Sequence, residues 1–204
     1  MVDEGRRRFL KGVTGFVAGA VVSAALPGSV RALGNLLCTE PERGLDYCLP
    51  NESSCDEGLI YLPHAGGVYL DGRISESSRL SWRDLLVTSG KYLSIPPDAK
   101  AVQTLLYSAE QFENMICRLE EEFGSLTVNV TSGYRSPRVN RICGGEEDGF
   151  HPKFKAFDWG VEELPARRLA REVGRRFKNI GLGNYPRFTH VDFRGYRARW
   201  REEC

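Results

Sequence analysis

The sequence predicts a domain in which helices and strands alternate, and three observations support this fold class. Apolar side chains recur at helical spacing from near Asp98 to Phe123, and Gly124 follows as a C-terminal helix stop. Residues Leu126 to Thr131 alternate and are rich in β-branched side chains, which is typical of a strand. Helix and strand signals then succeed one another at short intervals. This order fits either a parallel α/β sheet or a small antiparallel sheet with helices on one face.

Local signals predict the remaining elements. Ser81-Trp82-Arg83-Asp84 has the form of a capping box, which predicts a short helix to about Val87. Ser136-Pro137 predicts a brief helix through Ile142, because proline favours the first helical position. Periodicity predicts three more elements: a strand from Lys155 to Val161, a basic amphipathic helix from Leu164 to Phe177 and a strand from Phe188 to Arg194.

Residues 1–32 are predicted to be an export signal. Arg6-Arg7-Arg8-Phe9-Leu10-Lys11 precedes an uncharged run from Gly12 to Val30 and resembles a twin-arginine signal peptide. The alternative is an uncleaved membrane anchor, although several glycines and a proline make the run weakly hydrophobic. Both interpretations place the rest of the chain in the periplasm or elsewhere outside the cytoplasm. After cleavage, no stable membrane span is expected.

Cysteine usage fits an oxidising compartment. Six cysteines all follow the signal, and an even number suits disulfide bonds, although the connectivity stays open. A thiolate metal site is the alternative, but the sequence has no C-x-x-C pair. Three of the cysteines lie in residues 33–78, where we expect an irregular N-terminal arm. The regular elements occupy residues 79–204.

The charge distribution argues against a nucleic-acid partner. The whole chain has 28 basic and 27 acidic side chains, of which the first 32 residues hold five and two. The remaining 23 basic and 25 acidic groups leave the exported part slightly negative. Such a balance gives no electrostatic basis for binding nucleic acid. The basic helix is interpreted as a solvated face, with contact to an anionic wall polymer as the alternative.

Histidine and aspartate near the predicted strands are candidate metal ligands. His151 ends a loop, and Asp158 lies in the strand that follows. His190 and Asp192 alternate on one face of the last strand. If the two strands are neighbours, His151, Asp158 and His190 can converge as three zinc ligands with room for water. An isolated histidine is more often a surface or core residue than a ligand, and His64, in the irregular arm, is interpreted as a surface residue.

Residues 129–200 resemble the D-Ala-D-Ala metallopeptidase family. The matching motifs are Ser132-Gly133-Tyr134-Arg135-Ser136-Pro137, Asn140, Gly144-Gly145, His151, Ala156, Asp158 and His190-Val191-Asp192. The tail is similar to a branch that ends in H-x-D-x-R-G-Y-x-A-R-W. The resemblance implies an α+β fold for residues 79–204, with a small mainly antiparallel sheet, flanking helices and a zinc site at the sheet.

The resemblance also implies a function and site roles. A monomeric metallopeptidase is expected to hydrolyse peptidoglycan stem peptides or cross-links, as a carboxypeptidase or a murein endopeptidase, with Zn²⁺ on His151, Asp158 and His190. Arg135 corresponds to the family's substrate-positioning arginine, and the alternative is an ion pair with Asp148 or Glu147. Asp192 is the candidate general base or an orienting group for a ligand imidazole.

Two departures from the family pattern keep other functions open. Gly149 replaces a serine, and Phe154 replaces a glycine of the kind that serves turns with positive φ, so we expect the loop between the ligands to run differently. The positions where some members carry the base hold Arg187 and Phe188. A catalytically inactive peptidoglycan-binding module and a structural zinc protein with a closed fourth site are therefore alternatives.

Overall fold

The computed structural model describes residues 46–48, 58–63 and 65–201, which form an α+β fold. The helices are α1 (Trp82–Leu86), α2 (Ala99–Phe123), α3 (Pro137–Ile142) and α4 (Ala166–Arg176). The strands are β1 (Asp46–Cys48), β2 (Leu59–Leu62), β3 (Gly66–Tyr69), β4 (Val87–Thr88), β5 (Tyr92–Ser94), β6 (Val128–Ser132), β7 (Ala156–Val161), β8 (Gly181–Asn184), β9 (Thr189–Asp192) and β10 (Ala198–Arg201).

The largest sheet is mainly antiparallel, as the α+β prediction requires. Its strand order is β10-β8-β9-β7-β6, and only the pair β10/β8 is parallel. The alternative of a parallel α/β sheet is therefore wrong. Two small antiparallel sheets, β1-β5-β4 and the hairpin β2-β3, accompany it.

Helix α2 covers one face of this sheet and confirms the apolar stripe in the sequence. Phe112 is fully buried, stacks on Phe157 with ring centroids 4.6 Å apart and meets the edge of Trp159 at 5.0 Å. Both predicted ends of helix α2 are confirmed as well. At its start, Asp98 Oδ1 accepts a hydrogen bond from the Ala101 backbone N–H at 2.8 Å, and at its end Gly124 follows Phe123 with φ 77°. Because side chains alternate along β7, Asp158 lies on the opposite face of the sheet from Phe157 and Trp159.

Helix α1 lies close to the turn after β6, and glycine makes that approach possible. The capping box at its start is present, with the Ser81 N–H donating to Asp84 Oδ2 at 2.8 Å. A Cβ built on Gly133 would lie 2.5 Å from the Leu85 carbonyl oxygen. That oxygen also accepts a hydrogen bond from the Tyr134 N–H at 2.7 Å, which fixes the turn.

Gly133→Ala is expected to lower the free energy of unfolding by about 2–4 kcal/mol, because the new methyl group meets backbone atoms that cannot move independently. Denaturant unfolding followed by circular dichroism measures the change. Gly160→Ala is the matched control, since a Cβ at Gly160 meets nothing within 4 Å. Equal stabilities of the two variants would contradict the close approach.

Residues 58–78 differ from the irregular course expected of the arm. Leu59–Leu62 pairs with Gly66–Tyr69 in an antiparallel hairpin, and the buried side chains of Leu62 and Leu70 join the main core. The hairpin therefore packs on the domain, as expected for the arm, but it is regular. The boundary between arm and domain stays a prediction.

The export signal lies outside the described residues, as does His64. Cys117 and Cys143 are exposed free thiols, so the predicted disulfides find no support at these two positions. Side chains of the other four cysteines lie outside the described part of the chain, and their pairing stays a prediction. Within the described ranges, no helix combines the length and apolar character needed to cross a membrane.

Candidate metal centre

Strand register brings two of the predicted ligands together. Asp158 in β7 lies directly opposite His190 in β9, so both side chains project from the same face of the sheet. Asp158 is also paired with Ser132 in β6, and a bulge precedes that pair. His151 lies in the loop before β7 and is 5% exposed. The neighbouring strands that the sequence analysis required are therefore present.

The donor atoms of the three side chains form a compact buried cluster. His151 Nε2 lies 3.2 Å from both Asp158 Oδ1 and His190 Nδ1, and the distance from His190 Nδ1 to Asp158 Oδ1 is 2.7 Å. A tetrahedral zinc ion with ligands at about 2.0–2.1 Å holds them roughly 3.3–3.4 Å apart. The donor set and spacing therefore fit a zinc ion after movements of a few tenths of an ångström or so.

The second nitrogen of each imidazole also has a partner, so both rings can adopt the tautomer that a metal needs. His151 Nδ1 lies 2.5 Å from the Gly133 carbonyl oxygen and donates to it. His190 Nε2 lies 3.3 Å from Asp192 Oδ2. With those nitrogens protonated, the lone pairs of His151 Nε2 and His190 Nδ1 point into the cluster. The role of the Gly133 carbonyl as a partner of His151 could not be predicted from the sequence, because the position of a backbone acceptor depends on the turn and not on the residue type.

Burial, neighbouring charges and hydrogen bonds shift the pKa values of the three cluster side chains in different directions. Burial alone would raise the pKa of Asp158, but the charges and hydrogen bonds of His151 and His190 lower it well below its usual range. Burial lowers the pKa of His151 more than Asp158 raises it. For His190, burial lowers the pKa, yet hydrogen bonds with Asp158 and Asp192 raise it above the ordinary value. The ionised Asp158 carboxylate attracts a divalent cation, whose binding would displace a proton from His190.

Arg135 lies at the edge of this cluster and contacts a predicted ligand. Its Nη2 donates to Asp158 Oδ2, and its Nε donates to Ser132 Oγ at 2.8 Å. The alternative partner Asp148 instead lies 3.5 Å from Lys153 Nζ. Among the described contacts, Arg135 therefore pairs with Asp158, and the alternative ion pair with Asp148 or Glu147 is not formed.

Asp192 is fully buried, and both of its carboxylate oxygens have partners. Arg194 donates from Nε to Oδ1 at 2.7 Å and from Nη2 to Oδ2 at 2.6 Å, while His190 Nε2 approaches Oδ2. Burial raises the pKa of Asp192, but the hydrogen bonds of Arg194 and His190 lower it below the usual value. A carboxylate engaged in this way orients its neighbours.

The loop between His151 and Asp158 corrects one expectation. Phe154 itself adopts the left-handed conformation, with φ 61°, so a phenylalanine does occupy here the kind of conformation that was expected to exclude it. Its N–H donates to the His151 carbonyl oxygen at 3.2 Å, which closes the turn. Its ring stacks on Tyr134 with centroids 4.4 Å apart. Such a contact contributes about 1 kcal/mol, comparable to the strain of the conformation.

Comparison with known proteins agrees with this geometry. Residues 93–192 match the model of the family described as peptidase M15, and the matched segment contains all three candidate ligands. No curated protein and no solved structure matches the chain. The motif resemblance, the α+β fold and the family match concur: residues 93–192 are a segment of the peptidase M15 family, the zinc D-Ala-D-Ala metallopeptidases.

Proposed function

We propose that the protein is an exported zinc peptidase that hydrolyses peptide bonds in bacterial peptidoglycan, in stem peptides or cross-links. One observation carries the proposal: donor atoms of His151, Asp158 and His190 lie within 4.8 Å of one another. Three protein ligands leave a coordination position for water or substrate, as catalytic zinc sites do. Family membership supports the same substrate class.

The proposed roles follow from the contacts of each side chain. Zinc held by the three ligands would polarise a carbonyl group and lower the pKa of water. The Asp158 carboxylate and the two buried imidazoles hold that ion, and the Gly133 carbonyl orients His151. Arg135 uses Nε and Nη2 within the protein, and its fork carries further N–H donors that can bind a substrate carboxylate.

Asp192 is proposed to orient His190 and not to act as the general base. Both oxygens of its carboxylate are engaged, and its lowered pKa makes it a weak proton acceptor. Asp192→Asn is therefore expected to weaken zinc affinity by about 10–100-fold, because ligand-orienting partners contribute that much. Competition with a chromophoric chelator measures the affinity. An unchanged zinc affinity with a large loss of kcat would instead identify Asp192 as the base.

Digestion of defined muropeptides by the zinc-loaded protein tests the function. Mass analysis of the products distinguishes loss of a terminal D-amino acid from cleavage of a cross-link, and so separates carboxypeptidase from endopeptidase. We expect one of these products and none after zinc is removed with a chelator. Equal product formation with and without zinc would contradict the proposal.

An inactive peptidoglycan-binding module is the second candidate, and one observation favours it. Phe188 occupies a position where some relatives carry the base, and its ring stacks on Tyr185 with centroids 4.5 Å apart. Among the described contacts, only Asp158 and Asp192 provide carboxylates to the site imidazoles. Muropeptide binding by zinc-loaded protein without any product would support this candidate.

Export remains part of the proposal. The twin arginines of the N-terminal segment are its basis, and substrates in the cell wall require a location outside the cytoplasm. Replacing Arg6, Arg7 and Arg8 with lysine is the corresponding test: the protein should then be retained in the cytoplasm, and normal export would contradict a twin-arginine signal.

A further inference from the structure

We propose that Arg194 is a positioning residue that couples the two histidine-bearing segments of the metal centre and thereby slows zinc release. The inference rests on the proposed zinc site and assigns a role to a side chain that touches none of the three ligands in the described contacts. Two separate contacts carry it, one toward the His190 strand and one toward the His151 loop.

The first contact fixes the partner of His190. Arg194 holds the Asp192 carboxylate through two parallel hydrogen bonds of 2.7 and 2.6 Å, and the same carboxylate lies 3.3 Å from His190 Nε2. The fork of the guanidinium fixes the plane of the carboxylate, which a point charge would not do. Because Asp192 is fully buried and the Arg194 side chain is 16% exposed, water competes little for these bonds.

The second contact reaches the loop that carries His151. The Arg194 guanidinium carbon lies 4.4 Å from the ring centroid of Phe150, the residue immediately before His151. Much of the preceding segment, residues 141–148, is exposed. Asn140 Nδ2 also holds this loop by donating to the Glu146 carbonyl oxygen at 2.7 Å, and Lys153 Nζ lies 5.2 Å from the same Phe150 ring, but of these contacts only that of Arg194 comes from the segment after β9. A cation–π contact on Phe150 therefore ties the backbone next to one ligand to the carboxylate that orients the other.

The absence of a side chain at Gly181 leaves room for the ion pair between Asp192 and Arg194. A Cβ on Gly181 would lie 2.1 Å from Asp192 Oδ2 and 2.5 Å from Arg194 Nε. Gly181 pairs with Asp192 across β8 and β9, so a side chain there would displace the ion pair. On the β10 side, Arg194 lies 5.2 Å from the ring centroid of Trp200, and that ring lies 5.3 Å from the His190 ring.

The coupling predicts a kinetic effect on the metal. While Arg194 makes both contacts, movement of the His151 loop is coupled to Asp192 and through it to His190; without Arg194, this side-chain coupling is lost. The plane of the guanidinium serves both contacts, so a lysine at this position keeps the charge but loses the coupling.

Zinc dissociation from the full exported protein, measured with an excess of chelator, tests the inference. Arg194→Lys should raise the dissociation rate about 10-fold or more, and Phe150→Leu about two- to fivefold. The double variant should release zinc no faster than Arg194→Lys alone, since both changes break the same link. Arg197→Lys is the control, because Arg197 is exposed in the same segment, and its rate should equal that of the unaltered protein.

Thermal unfolding of the metal-free variants separates positioning from general stability. Dissociation rates within twofold of the unaltered protein, with a lowered unfolding temperature, would assign Arg194 a purely structural role and overturn the inference. Multiplicative effects of the two substitutions would overturn the coupling between segments. If the unaltered protein binds no zinc, the proposed function fails as well, so the two failures are distinguishable.

Discussion

Asp158→Asn is expected to abolish zinc binding and to reduce peptide hydrolysis by at least about 10³-fold. The carboxylate lies between the two imidazoles and is the one anionic donor among the three candidate ligands. A metal contributes several kcal/mol of transition-state stabilisation, and each 1.4 kcal/mol or so is tenfold in rate. Zinc content by atomic absorption and product formation from muropeptides measure the two effects together.

Asp148→Asn is the matched control for that change. Asp148 precedes His151 in the same loop, but its side chain is fully exposed and lies near Lys153. We expect zinc content and activity to stay at the level of the unaltered protein. An Asp158→Asn protein that folds, keeps a full zinc equivalent and retains activity would contradict the assignment of this ligand.

Arg135→Lys is expected to lower kcat/KM by about 10²-fold or more while zinc content is retained. Lysine keeps a positive charge near Asp158 but has no planar fork for a substrate carboxylate. Losing one partner of a buried charge pair, here the pair between Arg135 and the substrate carboxylate, costs about 2–5 kcal/mol. Steady-state kinetics on a muropeptide with a free terminal carboxylate measure the loss.

Arg138→Lys provides the comparison, because Arg138 is an exposed arginine on α3. Its kinetics should be unchanged. If Arg135→Lys lost zinc and activity in parallel, Arg135 would act by holding Asp158 and not by binding substrate. The two outcomes separate the roles that its ion pair with Asp158 leaves open.

Elements with strong local signals were predictable from the sequence. The long helix ends at its capping residues, and the capping box at Ser81 forms as expected, because these features depend on neighbours in the chain. Strand β8 had no such signal, because Gly181 and Gly183 are poor strand formers. They are required by the close approach of Asp192 in β9, of Arg194 just after β9 and of Trp200 in β10.

The residue types of the candidate site were predictable from the sequence, but the contacts between these residues were not. Spacing placed Asp158 and His190 on strands, yet their pairing depends on sheet order, which a local pattern does not determine. The partner of Arg135 likewise depends on the register of β6 and β7. Conformational preference alone mispredicted Phe154. This residue adopts a positive φ that usually favours glycine, and its ring stacks on Tyr134.

Anomalous X-ray diffraction at the zinc edge, from crystals of the zinc-loaded protein, tests the central claim most directly. The account predicts a single strong peak within about 2.0–2.2 Å of His151 Nε2, Asp158 Oδ1 and His190 Nδ1. A zinc-loaded crystal with no peak between these three atoms, or with its peak at other residues, would contradict it.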